Sequence, residues 1–309
     1  MKKLHSRLFI NVFFCIVLLC CIAYLGSYYY DGYQSSQLNH SLAETVDSAK
    51  APIDSSLLAP PTQTKKPFDY YEMPTAAPTI APDIEEVVEE ENFALSEDMM
   101  NVLKPSESED DNKQREVLSM YKELYEQNKD MVGWLKVDNT AINYPVMFKP
   151  GHNNYYIRRG FNKKHSNAGS LFIDERSKVL KKRSTNLIIY GHNMRNGSMF
   201  HDLLKYAEES FYLTHPTIQF NTIYEEATYD IVAAFYTKVL FTNEEGFRYY
   251  ESIDFSKKKE FNAYIKTIRS MSEYDTGIKV SYGDELITLS TCSYHEENGR
   301  FVVVARKRS

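Results

Sequence analysis

The sequence predicts a mainly β domain, a closed barrel or sandwich, behind an N-terminal membrane-spanning helix and a long acidic segment. Three observations predict it. Short runs rich in Val, Ile, Phe and Tyr recur from residue 133 to residue 305, separated by turn residues. Few stretches in the same region have helical spacing, which argues against a doubly wound sheet. An uncharged apolar run and a Pro-rich acidic stretch precede all of this.

The first element is Leu8 to Gly26, LFINVFFCIVLLCCIAYLG, 19 residues without a charge. That length just crosses a bilayer as a helix. Lys2, Lys3 and Arg7 flank it, which favours a cytoplasmic N-terminus (residues 1–7) and an extracellular body. The run is long for a signal-peptide core, and no A-x-A-like cleavage site follows it. Residues 8–26 are therefore read as a signal-anchor in contact with membrane lipid.

Residues 27–112 read as a tether. They contain MPTAAPTIAP, DIEEVVEEE and SESEDD, a composition too charged and Pro-rich to bury a core. As a flexible coil, such a segment spans roughly 50 Å. The charge divides accordingly: the first 30 residues are +3, residues 31–112 are −14, and residues 113–309 are +5. The net −6 of the whole chain makes nucleic acid a poor partner.

The body, residues 113–309, opens with an amphipathic helix in which Val117, Leu118, Tyr121, Leu124 and Tyr125 share a face. GWLKV, AINYPVMF, GSLFID and NLIIY follow as strands, then YDIVAAFYTKV, ELITLST and FVVVA. A second helix interrupts them at residues 255–271, with Phe261, Tyr264, Ile265 and Ile268 at helical spacing and Asp254 or Ser256 available as N-cap.

Cys15, Cys20 and Cys21 lie in the apolar run, so Cys292 is the one cysteine of the body. It is either a core residue or a working thiol, and the count does not separate the two. Its position is more informative. LITLSTC ends a strand on Cys292, and GRFVVVARK opens the next with Arg300, eight residues on. A tight connection between antiparallel neighbours puts both at one rim. NLIIYGHNM ends another strand just before His192. A thiol needs a nearby base or cation to attack an amide, and a His can exchange the proton. A guanidinium is no base, but it donates hydrogen bonds to a tetrahedral oxyanion. The set implies acyl transfer through a thioester. His295, three residues after the Cys, is a formal competitor. No CxxC or HExxH is present, so a metal site is not expected, and no GxxxxGK[ST] or GxGxxG marks a phosphate-binding loop.

YGHN, TLSTC and GRFVVVA resemble the His, Cys and Arg signatures of sortases, the cysteine transpeptidases of Gram-positive cell surfaces. MVGWLKVDNTAINYPVM, NNYYI and GSLFID resemble the early strands of class B sortases, and the two helices match that class's additions. The resemblance spans roughly 115–309. It implies a closed β-barrel and a thiol peptidase-type transpeptidase needing no cofactor. Cys292 would be the nucleophile, His192 the general acid/base, and Arg300 the oxyanion or substrate-positioning group. Asn153, Ile157, Ser290 and Thr291 would line the substrate groove, while Ser293 stands where related proteins often carry an acid. The implied partners are secreted proteins with a C-terminal sorting signal and an amine acceptor, a peptidoglycan precursor or another protein. A pilin-polymerising sortase and a non-enzymatic tethered adhesin are the alternatives. A papain-like peptidase is disfavoured because His192 precedes Cys292.

Overall fold

The computed structural model describes residues 2–50, 116–179 and 182–308. Helix α1 spans Lys2–Ala49 and α2 Ser119–Gln127. Strands β1 (Met131–Lys136), β2 (Asn143–Met147), β3 (Leu171–Ile173) and β4 (Asn186–Tyr190) follow. A 3₁₀ turn at His201–Ala207 and the short α3 (Glu209–Thr214) lead into β5 (Thr217–Thr222) and β6 (Thr228–Lys238). A second 3₁₀ turn, Tyr249–Glu251, precedes α4 (Lys258–Met271), β7 (Leu286–Cys292) and β8 (Gly299–Lys307).

The strands close into a barrel in the order β1-β2-β3-β4-β7-β8-β6-β5. Two neighbours, β2/β3 and β4/β7, run parallel. Leu135, Val146, Leu171, Ile189, Phe220, Ile231, Leu289 and Val303 fill the interior. Alternate residues of the same strands face outward. Val232, Phe235, Val302 and Val304 pack against Phe261, Tyr264, Ile265 and Ile268 of α4. Burial on both faces explains why FVVVA is apolar without alternation.

Several elements differ from the sequence expectation. The strand β5 is not among the predicted runs: its outer face is polar, and only Ile218 and Phe220 are buried. It nonetheless closes the barrel, pairing Gly133–Lys136 of β1 with Gln219–Thr222. Neither Asp254 nor Ser256 caps α4, whose first flanking residue is Lys257 without a side-chain cap. Asp254 instead accepts from Thr185 N (2.8 Å) and Ser184 Oγ (3.0 Å) at the entry to β4.

The largest difference lies in the expected tether. Residues 27–49 are helical, continuing α1 well past Gly26. Leu42 and Val46 are buried with Met120, Tyr121 and Leu124 of α2, and Leu38 packs beside them. Asp31 Oδ2 accepts from Asn167 N at 2.8 Å, and the Ser35 and Ser166 hydroxyls share a hydrogen bond at 2.8 Å. Burial of an apolar stripe at i, i+4, i+8 makes this otherwise polar stretch a helix of the body. The rest of the expected tether, and residues 113–115 of the expected first helix, lie outside the described residues.

Leu42→Ala and Val46→Ala would each open a cavity in this seam. The Leu42 variant is expected to cost about 2–3 kcal/mol, read as a lower denaturant midpoint of the full chain in detergent. An unchanged midpoint would mean that α1 is not packed on the body.

Candidate active site

The register of the three strands β4, β7 and β8 positions the chemistry. Asn186–Tyr190 of β4 pair in parallel with Leu286–Ser290 of β7, each residue with its partner one hundred positions on. The pairing continues past the strand end: Gly191 N donates to Ser290 O (3.2 Å) and Thr291 Oγ1 to Gly191 O (2.8 Å). Residue 192 is thus carried alongside residue 292. On the other side, Cys292 is the direct antiparallel partner of Arg300. Directly paired residues project to the same face, with Cβ atoms about 4.5–5.5 Å apart. His192, Cys292 and Arg300 all line one cleft of about 400 Å³.

Each of the three is held by its neighbours. An added Cβ on Gly191 would lie 2.5 Å from Leu171 Cδ2 and 2.6 Å from Phe200 Cδ2, so only glycine fits before the His. His192 O accepts from Phe200 N at 2.8 Å. The His192 Nε2 lies 2.8 Å from Ile157 O. A carbonyl only accepts, so Nε2 carries the proton and Nδ1 is the ring nitrogen left for proton exchange. The Asn193 amide donates to Cys292 O (3.2 Å), and its oxygen meets His201 Nδ1 (3.0 Å). Arg300 Nη1 donates to the carbonyls of Asn298 (3.2 Å) and Gly299 (2.9 Å). The remaining guanidinium N–H groups make no hydrogen bond among the described residues. Ser293 N to Gly299 O (2.9 Å) closes the connection between the two strands.

His295 and His201 are engaged elsewhere. His295 contacts Ser293 Oγ and Glu296, packs against Tyr236, and does not line the cleft. His201 reaches the site only through Asn193. Among the described residues, no group of three or more His, Cys, Asp or Glu is placed to hold a metal.

Asn153, Ile157, Ser290 and Thr291 all line the same cleft. Ile157 is the exposed member, 38% accessible. The other three are tied into the framework. Asn153 and Glu175 exchange two hydrogen bonds of 3.1 Å. Ser290 Oγ shares a hydrogen bond with the Tyr249 hydroxyl (2.8 Å), and Thr291 is committed to Gly191. Burial pushes the Tyr249 phenol up to about 12, partly offset by Ser290 and by the Arg300 charge, so it stays protonated.

Sequence reasoning missed the polar wall opposite. Asp174, at the end of β3, receives Arg176 Nε (2.8 Å) and Nη2 (2.7 Å) in a bidentate pair, and the Tyr190 hydroxyl at 3.0 Å. Arg176 Nη2 also reaches Tyr250 O at 2.6 Å, bringing the Tyr249–Glu251 turn to the cleft. Burial works to raise the Asp174 carboxyl, but the Arg176 hydrogen bonds and charge outweigh it and hold the group below its usual range. Burial, then the Asp174 charge, push the Tyr190 phenol far up. The D-x-R spacing after an apolar strand was the available signal.

A family profile described as the sortase domain matches residues 135–308. The chain is 37% identical to sortase B of Listeria monocytogenes over 192 residues, 61% of this chain and 74% of that protein. Sortase B of Staphylococcus aureus, in a complex with substrate, superposes with a TM-score of 0.55 at 32% identity, covering 63% of this chain and 88% of that one. Sortase B of Clostridium perfringens superposes with a TM-score of 0.54 at 30% identity, covering 61% and 99%.

Two outcomes follow from the geometry. Gly191→Ala is expected to cost about 1–3 kcal/mol through overpacking and to lower activity by displacing His192; unchanged stability and activity would refute the steric constraint. The depressed Asp174 carboxyl contributes stability that is complete above the ordinary carboxylate pKa of about 3.9 and is lost as pH falls through the lower folded value. Wild type should therefore lose thermal stability more steeply than Asp174→Asn when taken from about pH 6 to about pH 2. Parallel profiles would show that the carboxylate is not linked to folding.

Proposed function

The chain belongs to the sortase family as a class B-type cell-wall sorting transpeptidase, and from that premise we propose that Cys292, His192 and Arg300 divide its two half-reactions. The Cys292 sulfur attacks the carbonyl carbon of one peptide bond in the sorting motif. Its proton passes to His192. The tetrahedral oxyanion accepts hydrogen bonds from the free N–H groups of Arg300. The C–N bond breaks, the departing amine takes a proton from His192, and a thioester to Cys292 remains. An incoming amine then attacks the thioester, gives a proton to His192, and releases the thiolate as the new amide forms.

The observation that carries this assignment is the pairing across β7. Cys292 faces Arg300 directly on β8, and His192 continues the parallel register of β4 on the other side. With Nε2 bonded to Ile157 O, the ring presents Nδ1 for the proton relay. Asn153, Ile157, Ser290 and Thr291 form walls of the groove that receives the motif, with Ile157 offering apolar contact. The acyl donor is a secreted protein with a C-terminal sorting signal, and the acceptor is an amine of the cell-wall precursor.

Sortases are cell-surface associated, and α1 contains a helix long and apolar enough to cross a membrane. In our reading residues 8–26 are that anchor, and Lys2, Lys3 and Arg7 hold the N-terminus in the cytoplasm with the barrel outside. No cofactor takes part in the proposed steps.

The full chain in detergent should cleave a fluorogenic sorting-motif peptide and transfer the acyl group to an added amine. Cys292→Ala should abolish both activities. Loss of the proton relay in His192→Ala should reduce kcat by about 10²–10⁴-fold, and Arg300→Ala by about 10²–10³-fold. Wild-type turnover in any of the three variants would overturn that residue's role. A larger loss in His201→Ala than in His192→Ala would transfer the proton relay to the wrong-placed ring and sink the assignment.

A further inference from the structure

Helix α1 passes without a break from the apolar run into the body. Phe13, Phe14, Leu18, Leu19, Ile22 and Leu25 are all more than half exposed, as lipid-facing side chains would be. Tyrosines 24, 28, 29, 30 and 33 crowd the end of the run and are exposed as well, the pattern of an interfacial aromatic belt. Docking on the body starts immediately afterwards, with Asp31 on Asn167 and Ser35 on Ser166.

The short distance along the helix is decisive. From Gly26 to Asp31 the axis advances only about 7.5 Å. The polar layer on one side of a bilayer is about 5–7 Å thick. The body therefore begins where the headgroups end. An open groove of about 560 Å³ separates α1 from the loop after His192, with Leu25, Tyr28 and Tyr29 on one side and Met194, Arg195 and Asn196 on the other. The groove runs along α1 from Leu25 to Ser36, and Asn196 lies beside Gly32, about 9 Å past Gly26 along the axis, so residues 194–196 stand at the outer edge of the headgroup layer with the groove open from them toward Leu25. Asn196 Nδ2 lies 3.8 Å from where a Cβ on Gly32 would be, and Asn39 Nδ2 contacts the Met199 sulfur at 4.0 Å, so the loop follows the helix upward.

Arg195 is exposed and makes no hydrogen bond or ion pair among the described residues. A guanidinium at headgroup level has a matching bidentate partner in lipid phosphate. We propose that Met194–Asn196 is a lipid-contact loop, with Arg195 on the phosphate of membrane phospholipid, and that it seats the neighbouring catalytic cleft on the bilayer surface. This rests on the reading of α1 as the membrane anchor. Asn193 and His192 begin the same loop, so the lipid contact and the thiol's carbonyl clamp share one short stretch of backbone.

The test uses the full chain with Cys15, Cys20 and Cys21 replaced by Ser and Cys292 by Ala. A single Cys is placed by Asn196→Cys or, on α4 across the barrel, by Ser270→Cys, and labelled with an environment-sensitive fluorophore. Each chain is reconstituted into vesicles of phosphatidylcholine and phosphatidylglycerol containing a headgroup-level spin-labelled quencher, and vesicle flotation is measured alongside. Flotation with loss of more than half the emission at position 196, and none at 270, supports the loop contact. Arg195→Glu in the Asn196→Cys chain should reverse most of that loss. A chain that floats without selective quenching at 196 overturns the lipid contact while leaving the anchor standing. A chain that does not float overturns the anchor and the contact with it.

Discussion

Everything in the site depends on the register of β7. Cys292 closes that strand, and its two neighbours supply the other chemistry-bearing residues, Arg300 by antiparallel pairing and His192 by parallel continuation. A slip of one residue would turn Cys292 to the opposite face of the sheet. The apolar residues alone would resist such a slip weakly, because Val302, Val303 and Val304 are nearly equivalent and all buried. Buried polar groups make the register unique. Thr288 Oγ1 donates to Asn186 Oδ1 (2.9 Å), and Asn186 in turn donates to Ser252 O (2.8 Å). Two residues on, Ser290 meets Tyr249, and one further Thr291 meets Gly191. A slip of one residue would separate each hydroxyl from this partner, and a buried hydroxyl left unpaired costs about 1–3 kcal/mol.

The opposite wall of the cleft is built on a different principle. Asp174 is almost wholly buried, while Arg176 is half exposed. A buried carboxylate needs its partner, and the fork of Arg176 satisfies both oxygens at once. The same guanidinium takes the carbonyl of Tyr250, so the pair joins the end of β3 to the turn that delivers Tyr249 to Ser290. The two walls are therefore mechanically linked: β3, the Tyr249–Glu251 turn and β7 share one chain of hydrogen bonds. That link gives the cleft a fixed width without a disulfide, which the single cysteine of the barrel could not supply.

The residues of this cleft that could be read from sequence share one property: they sit at the ends of apolar runs, where strand period stops and a reactive side chain stands out. His192, Cys292 and Arg300 are of this kind. Asp174 and Arg176 also follow such a run, but a D-x-R pair acquires meaning only when Tyr190 and Tyr250 arrive from distant segments. Tyr249 lies in a polar stretch with no periodicity at all. In the fold, dense β-branched runs were legible and β5 was not, because two inward residues in six carry little signal. Asp254 is a sound helix cap by type, yet two donors at the start of β4 claim it. The stretch from Ser27 to Ala49 was hidden by its company. Its composition is polar, but the prolines begin only at Pro52, and Leu38, Leu42 and Val46 repeat at helical spacing.

That last stretch changes how the molecule is understood. A coil of the expected length would let the barrel wander through a volume tens of ångströms across, and the thiol would meet its substrate at the low effective concentration of a long linker. Here α1 ends beside α2, and both belong to one compact unit with the barrel. In sequence the acidic stretch lies between α1 and α2, so it does not set the distance between apolar run and thiol. The helix does, at a fixed 1.5 Å per residue. A thiol held by a rigid strut gives up the freedom of a tether in exchange for orientation. The seam of Leu42 and Val46 fixes α1 against the body, so the helix and a cleft whose own geometry is settled by β7 form one arrangement.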